Sequence, residues 1–370
     1  MIIPDLRAKA KEIAHVRGLE GVFVGAGAAP PRRLALFAVV DGHAGFRAAE
    51  FVVASIAETF WKSVCMLIEE ETLEQATEDL NLHENNVGIS CSGSSGGSGT
   101  GNNGDGKDSD TTEKASAVYL ERGQIYKQDK QQDKQVGDGD SGKDDARIGI
   151  FLRKALGKTM TGLDEAWLKR VQGARPKIND GACVLLCLMV DSKMYLAHVG
   201  DCRAVLYSAS GKFRALTSDH KPGISKTEDR RVQDAGGKIQ RGQRGMESRV
   251  CAAGTRISVT RAIGDANLKR GAVPILSPEP DICSVDIDGL NRWSLVMASD
   301  GVWFRMGNAT VSSFLRKARA GTIQGSRSGT SRVSDNEKSA SFAELLVRDS
   351  YRRGSFDNIS AIIITGIEGK

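Results

Sequence analysis

Histidine is scarce in this 370-residue chain, with 5 in all, and the 7 cysteines include no C-x-x-C pair. Zinc draws on paired thiolates and clustered imidazoles, so those absences argue against a zinc site. An odd number of scattered cysteines does not make a disulfide framework; it fits reduced thiols in an intracellular compartment. Aromatic residues make up 5%, too few for the stacking stripe that single-stranded nucleic acids require. The net charge of +5 favours acidic partners slightly and does not point to nucleic acid. No apolar run approaches the roughly 18 residues of a membrane span. The opening residues, Met1-Ile2-Ile3-Pro4-Asp5, lack the basic and then apolar order of a signal peptide. Cytosol or nucleus is the expected setting.

What is present is a globular balance, 40% hydrophobic and 26% charged, with ample material for a core. Two stretches break that texture. Residues 85–145 run through S-G-S-S-G-G-S-G-T-G-N-N-G-D-G and K-Q-D-K-Q-Q-D-K-Q, and 321–340 have the same polar character. Such composition cannot bury enough surface to offset its ordering entropy, so both are expected to be disordered insertions in a single domain spanning 1–370.

Outside them the periodicity is informative. Leu34–Val40 is an apolar run of strand length, and Phe46–Glu70 and Ile148–Val171 read as helices. Strands follow at Cys183–Val190, Met194–Val199, Arg203–Tyr207 and Phe213–Leu216, joined by connections too short for parallel crossovers. Further strands are expected at Arg256–Val259, Trp293–Ala298 and Ile359–Thr365, and helices at Ala309–Ala320 and Phe342–Arg353. The fold class is α+β: a four-layer αββα sandwich of two antiparallel sheets flanked by helices.

Three acids stand at ends of apolar runs. Asp41 is followed by Gly42-His43-Ala44-Gly45, Asp300 closes W-S-L-V-M-A-S-D, and Asp357 precedes a third apolar strand. Buried carboxylates in that arrangement repel one another unless a cation sits among them. Oxygen ligands suit hard ions, Mg²⁺ or Mn²⁺. Any one of these acids could simply cap a turn; three in this order point to a metal site.

The strings F-A-V-V-D-G-H-A-G (Phe37–Gly45), A-H-V-G-D-C-R-A-V-L (Ala197–Leu206), L-T-S-D-H-K-P (Leu216–Pro222), S-V-T-R-A-I-G-D (Ser258–Asp265), V-M-A-S-D-G-V-W (Val296–Trp303) and R-G-S-F-D-N-I-S (Arg353–Ser360) resemble, in order, the blocks of the type 2C metal-dependent serine/threonine phosphatases. The resemblance implies two Mg²⁺ or Mn²⁺ ions bridged by Asp41, one also touching the Gly42 carbonyl, with Asp300 and Asp357 on the second. Glu20 matches the family's remaining carboxylate ligand, and an ordinary surface acid is its other reading. Asp201 would contribute to a weak third metal site, and Arg17 to substrate phosphate binding. The implied reaction is hydrolysis of phosphoserine or phosphothreonine by a water activated between the ions, with His43 as general acid. Partners would be phosphoproteins, with no dedicated subunit and a monomeric chain.

The pattern also departs from the family. Gly21 stands where an acid usually follows the Glu20 position, and Phe304 stands where an aspartate usually completes the third site. The alternative to an enzyme is therefore a pseudophosphatase, the same fold used as a binding or scaffolding module. Residues 212–270 carry 14 Lys/Arg against 6 Asp/Glu, an excess that suits an anionic phosphopeptide or a solvated basic face.

Overall fold

The computed structural model describes residues 2–3, 34–86, 140–243, 246–269, 273–322 and 341–366. The two insertions therefore lie almost wholly outside the described residues. The chain divides into two compact units, residues 1–64 with 148–370, and residues 65–147. All sheets belong to the first.

Strand β1 (Ile2–Ile3) pairs with β2 (Leu34–His43), which leads into helix α1 (Arg47–Asn86). Helix α2 (Asp140–Val171) precedes β3 (Gly181–Val190), β4 (Lys193–Val199), β5 (Arg203–Ser208) and β6 (Phe213–Ala215). Then come α3 (Lys226–Asp234), β7 (Lys238–Gln240), β8 (Arg249–Ala252), β9 (Thr255–Ile257), β10 (Ile263–Gly264), β11 (Asp281–Asp286) and β12 (Trp293–Ala298). The chain continues through α4 (Asp300–Trp303), α5 (Asn308–Arg319), α6 (Phe342–Arg352) and β13 (Ala361–Gly366).

Pairing is antiparallel throughout the three sheets. The first runs β1-β2-β3-β4-β11 with β10 beside β3, the second β13-β12-β5-β6, and the third β7-β8-β9. The short β4–β5 connection carries the chain from the first sheet to the second. Alternation along each strand decides what faces what. Cys183, Leu185 and Cys187 of β3 pack with Leu295 and Met297 of β12 in one core between the two large sheets. Val205, Tyr207, Val296 and Ala298 on the other face of the second sheet meet Val302, Val311, Phe314, Leu315 and Leu346 from α4, α5 and α6.

On the far side, α2 lies against the first sheet. A Cβ at Gly157 would reach Ile282 Cδ1 at 3.6 Å, and Arg153 donates to Ser284 Oγ at 3.1 Å. Helix α1 packs on α2 through Phe51 and Trp167, whose ring centroids are 5.4 Å apart. The expected four layers are present, and a third sheet stands beside them that the two-sheet expectation did not include.

Within residues 47–71 an 18-residue window reaches a mean hydropathy of 1.6, that of a membrane span. Ala48, Val52, Ile56, Phe60 and Val64 use that apolar stripe inside the protein, each at most 1% exposed. Helix α1 continues to Asn86 rather than ending near Glu70 because residues 71–86 are mostly good helix formers with no Gly or Pro. Helix α3 was legible but unread: Ser225 accepts from the Glu228 backbone N–H at 3.4 Å, the S-x-x-E capping signature.

Leu186 is fully buried in a strand paired on both edges. Leu186→Ala should cost about 3 kcal/mol through lost burial and a residual cavity, read as a lower urea midpoint with unchanged m-value.

Candidate metal centre

Six aspartates line one cavity of about 560 Å³; Asp180 and Asp265 are tied to Arg47 and His43, which leaves Asp41, Asp201, Asp300 and Asp357. Each of these four reaches it by a different route. Asp41 lies near the end of β2, paired with Cys183 of β3. Asp201 sits on the β4–β5 crossing, where Gly200 takes φ 91°. Asp300 opens the one-turn helix α4 directly after β12, and Asp357 lies in the loop before β13. Ser299 and Ser355 draw those last two segments together: Ser299 Oγ takes the Ser360 N–H at 3.1 Å and donates to the Asn358 carbonyl at 3.2 Å, and Ser355 Oγ donates to the Gly301 carbonyl at 2.7 Å. Gly301 permits that approach, because a Cβ there would collide with the Asn358 carbonyl oxygen.

The electrostatics follow from the crowding. Burial, together with Asp201 and Asp357, raises the Asp41 carboxyl to about 6. Burial, Asp201 and Asp41 raise Asp300 to about 7, against the opposing pull of Lys221. Lys221 reaches these acids directly. Its Nζ lies 3.1 Å from Asp201, 3.8 Å from Asp300 and 2.7 Å from Glu247. Burial works against its ammonium, but Asp201 and Glu247 outweigh it and raise its pKa.

His43 borders the same cavity. Its Nε2 is 2.8 Å from Asp265 Oδ2, and Asp265 is 3% exposed. Burial disfavours the imidazolium, yet the bond and charge of Asp265 prevail and raise the pKa. Asp265 takes a left-handed φ of 53° after β10. Gly181 makes room for the pair, since a Cβ there would overlap both Asp265 Oδ2 and His43 Nε2. Nearby, Asp180 accepts the Arg47 backbone N–H at 3.1 Å and its guanidinium at 3.1 and 3.3 Å, tying the start of α1 to β3.

The structure thus brings together Asp41, Gly42, His43, Asp201, Asp300 and Asp357. Glu20, Gly21 and Arg17 lie outside the described residues. Phe304 follows Trp303, is 59% exposed, and has the Arg305 guanidinium 4.9 Å from its ring centroid; it offers no ligand atom. Sequence reading missed Asp265 and Lys221. Both stood inside quoted strings, but their partners lie at positions 43, 201 and 300, which no local spacing reveals.

The donor set fits a hard divalent cation: several carboxylates, crowded enough to hold protons near neutrality, while His43 is tied to Asp265 and burial keeps the Cys183 thiol neutral. A second cluster fits less well. His198, His220 and Asp281 have ligand atoms within 4.8 Å of one another. The two imidazoles are stacked, 4.5 Å apart and 5° from parallel, so their lone pairs run side by side rather than toward one point. His198 Nε2 is also 3.0 Å from the Ser218 carbonyl, and Arg261 lies 3.0 Å from Asp281. Burial and His220 lower His198 to about 4 and keep it neutral.

A pH dependence follows. With Asp41 and Asp300 raised, the folded chain holds protons that the unfolded chain releases between roughly pH 4 and 7. Their contribution to stability is present at low pH and is lost as pH rises through 6 and 7. In EDTA, the wild-type Tm should fall more between pH 5 and pH 8 than that of the Asp41→Asn/Asp300→Asn variant. Mn²⁺ should raise the wild-type Tm at pH 8 and leave the variant's unmoved.

A family model described as protein phosphatase 2C matches residues 101–359; these include Asp201, Asp300 and Asp357, while Asp41 and His43 precede them. Over 212 residues the chain is 32% identical to "Probable protein phosphatase 2C 11" of Arabidopsis thaliana, covering 57% of this chain and 48% of that one. Over 184 residues it is 32% identical to "Probable protein phosphatase 2C 74" of Oryza sativa subsp. japonica, covering 50% and 39%. The chain thus spans half or less of the length of these curated relatives. Among solved structures, the serine-threonine phosphatase 2C of Toxoplasma gondii superposes with a TM-score of 0.58 at 17% identity, covering 92% of this chain and 86% of that one. A C. elegans sex-determining protein gives 0.53 at 21% identity, covering 93% and 58%. The fold is the one these structures share, and the chain belongs to the protein phosphatase 2C family.

Proposed function

We propose that the chain hydrolyses phosphoserine and phosphothreonine in proteins, using two Mg²⁺ or Mn²⁺ ions. The observation that carries this reading is the convergence of Asp41, Asp201, Asp300 and Asp357 on one cavity beside the His43–Asp265 pair. Asp41, the Gly42 carbonyl, Asp300 and Asp357 would hold the ions, with Glu20 as a further ligand and Arg17 on substrate phosphate. Bound there, the ions supply Lewis-acid neutralisation of phosphoryl oxygens and lower the pKa of water.

The chain's own residues then have defined tasks. His43, kept protonated by Asp265, donates a proton to the departing serine or threonine alkoxide. Its Nε2 is held by Asp265, so Nδ1, which has no hydrogen-bond partner among the described residues, is the donating atom. Asp265 orients the ring and stabilises its charge but does not itself meet substrate. Lys221 neutralises the Asp201 side of the cavity. With Phe304 supplying no ligand, a third ion lacks both an oxygen and an unopposed charge there.

That last feature also supports a second reading, a pseudophosphatase that binds phosphoproteins without turning them over. Mn²⁺-dependent release of phosphate from a phosphothreonine peptide separates the two. The wild-type chain should exceed Asp300→Asn by orders of magnitude at millimolar Mn²⁺, and parity between them would leave only the binding module. His43→Ala should lower kcat by about 10²-fold and Asp265→Asn by less. Asp265→Asn should also move the alkaline limb of the pH profile to lower pH, since it removes the source of the raised imidazolium pKa, and His43→Ala should abolish that limb.

A further inference from the structure

The third sheet has two unlike faces. Register places Ile239 opposite Val250, Val250 opposite Ile257, and Ala252 opposite Thr255. Ile239, Val250, Ala252 and Ile257 belong to the core between the large sheets. The opposite face carries Lys238, Gln240, Arg249, Cys251 and Arg256, because Arg249 pairs with Gln240, and Lys238 and Arg256 both pair with Cys251. Three cations and no carboxylate share that face.

This face does not end at open solvent. Arg249 and Arg256 line the aspartate cavity, and they also line a second one of about 530 Å³ with Gln240, Arg241, Glu247 and Phe304. The two cavities are therefore neighbours across a pair of arginines. Most local acids are already committed. Glu247 bonds Lys221 at 2.7 Å and approaches Arg249 only at 3.8 Å. Arg241 is 3.2 Å from buried Asp229. Arg256 donates to neutral Gln240 at 2.7 Å and has no carboxylate partner among the described residues.

We propose that this groove receives the residues flanking the phosphorylated one, and that Arg249 and Arg256 select acidic side chains there. The inference rests on the phosphatase-family reading above and names the substrate class of the same site. The occupant must place a phosphate among the aspartates and anionic groups over the adjoining sheet face. A phosphopeptide with acidic neighbours does both. A nucleic acid or another uniform polyanion would run its charge past Asp41, Asp201, Asp300 and Asp357. Arginine's planar fork matches a carboxylate in two bonds, and exposed pairs of this kind give modest, salt-sensitive discrimination.

The test uses the full chain with Mn²⁺ and labelled phosphothreonine peptides of equal length, flanked by aspartate, glutamine or lysine. Both kcat/KM and anisotropy-derived Kd are measured, at low and high salt. The aspartate peptide should be preferred over the glutamine peptide by about five- to tenfold, mainly in KM, and high salt should shrink the difference. Arg249→Gln/Arg256→Gln should bring the ratio close to one, with the variant's unchanged Tm showing that it folds. Equal Kd and kcat/KM for all three peptides would overturn the proposal, as would a preference retained in the variant. A single-stranded oligonucleotide of equal charge that displaced the aspartate peptide with the same affinity would overturn it in favour of nucleic acid. If no peptide is hydrolysed, the catalytic reading fails separately, and the ratio of Kd values still decides this one.

Discussion

Mutual repulsion among Asp41, Asp201, Asp300 and Asp357 is the constraint around which the rest of the molecule is arranged. Four carboxylates on one cavity are unfavourable together in a partly buried setting. The raised Asp41 and Asp300 carboxyls show that the repulsion is present in the folded chain. They stay close because stiff elements hold them. Both large sheets contribute, and the core between the sheets fixes one carboxylate group against the other. The charge is offset from within by Lys221 and, on the family reading, from outside by divalent cations.

Lys221 also joins the aspartate end of the sandwich to the third sheet. Its ammonium touches Asp201 on the β4–β5 crossing and Glu247 just before β8. The same segment supplies Arg249, which borders both cavities.

Much of this was legible in the primary structure. Apolar runs marked β2, β3, β4 and β12, and tight turns marked the antiparallel pairing, because strand alternation and turn chemistry are local. Asp41, Asp300 and Asp357 stood out for the same reason, each beside a glycine or at the edge of an apolar run. The short strands β7, β8 and β10 were not read. At two to four residues they carry too little periodicity, and their stability comes from packing on the core rather than from propensity. Asp265 was quoted within a motif without a task, since its partner His43 lies 222 positions away.

The sequence by itself determined the fold class, the order of most of the longer elements and the identity of the carboxylates, because burial patterns and residue chemistry are written position by position. Only the tertiary structure decided which acids share a cavity, that Lys221 stands among them, that Asp265 controls His43, and that the basic face of the third sheet opens beside the site. Those are relations between residues far apart in the chain. They exist only once closure of the sandwich has brought strand ends together, at distances that local sequence does not encode.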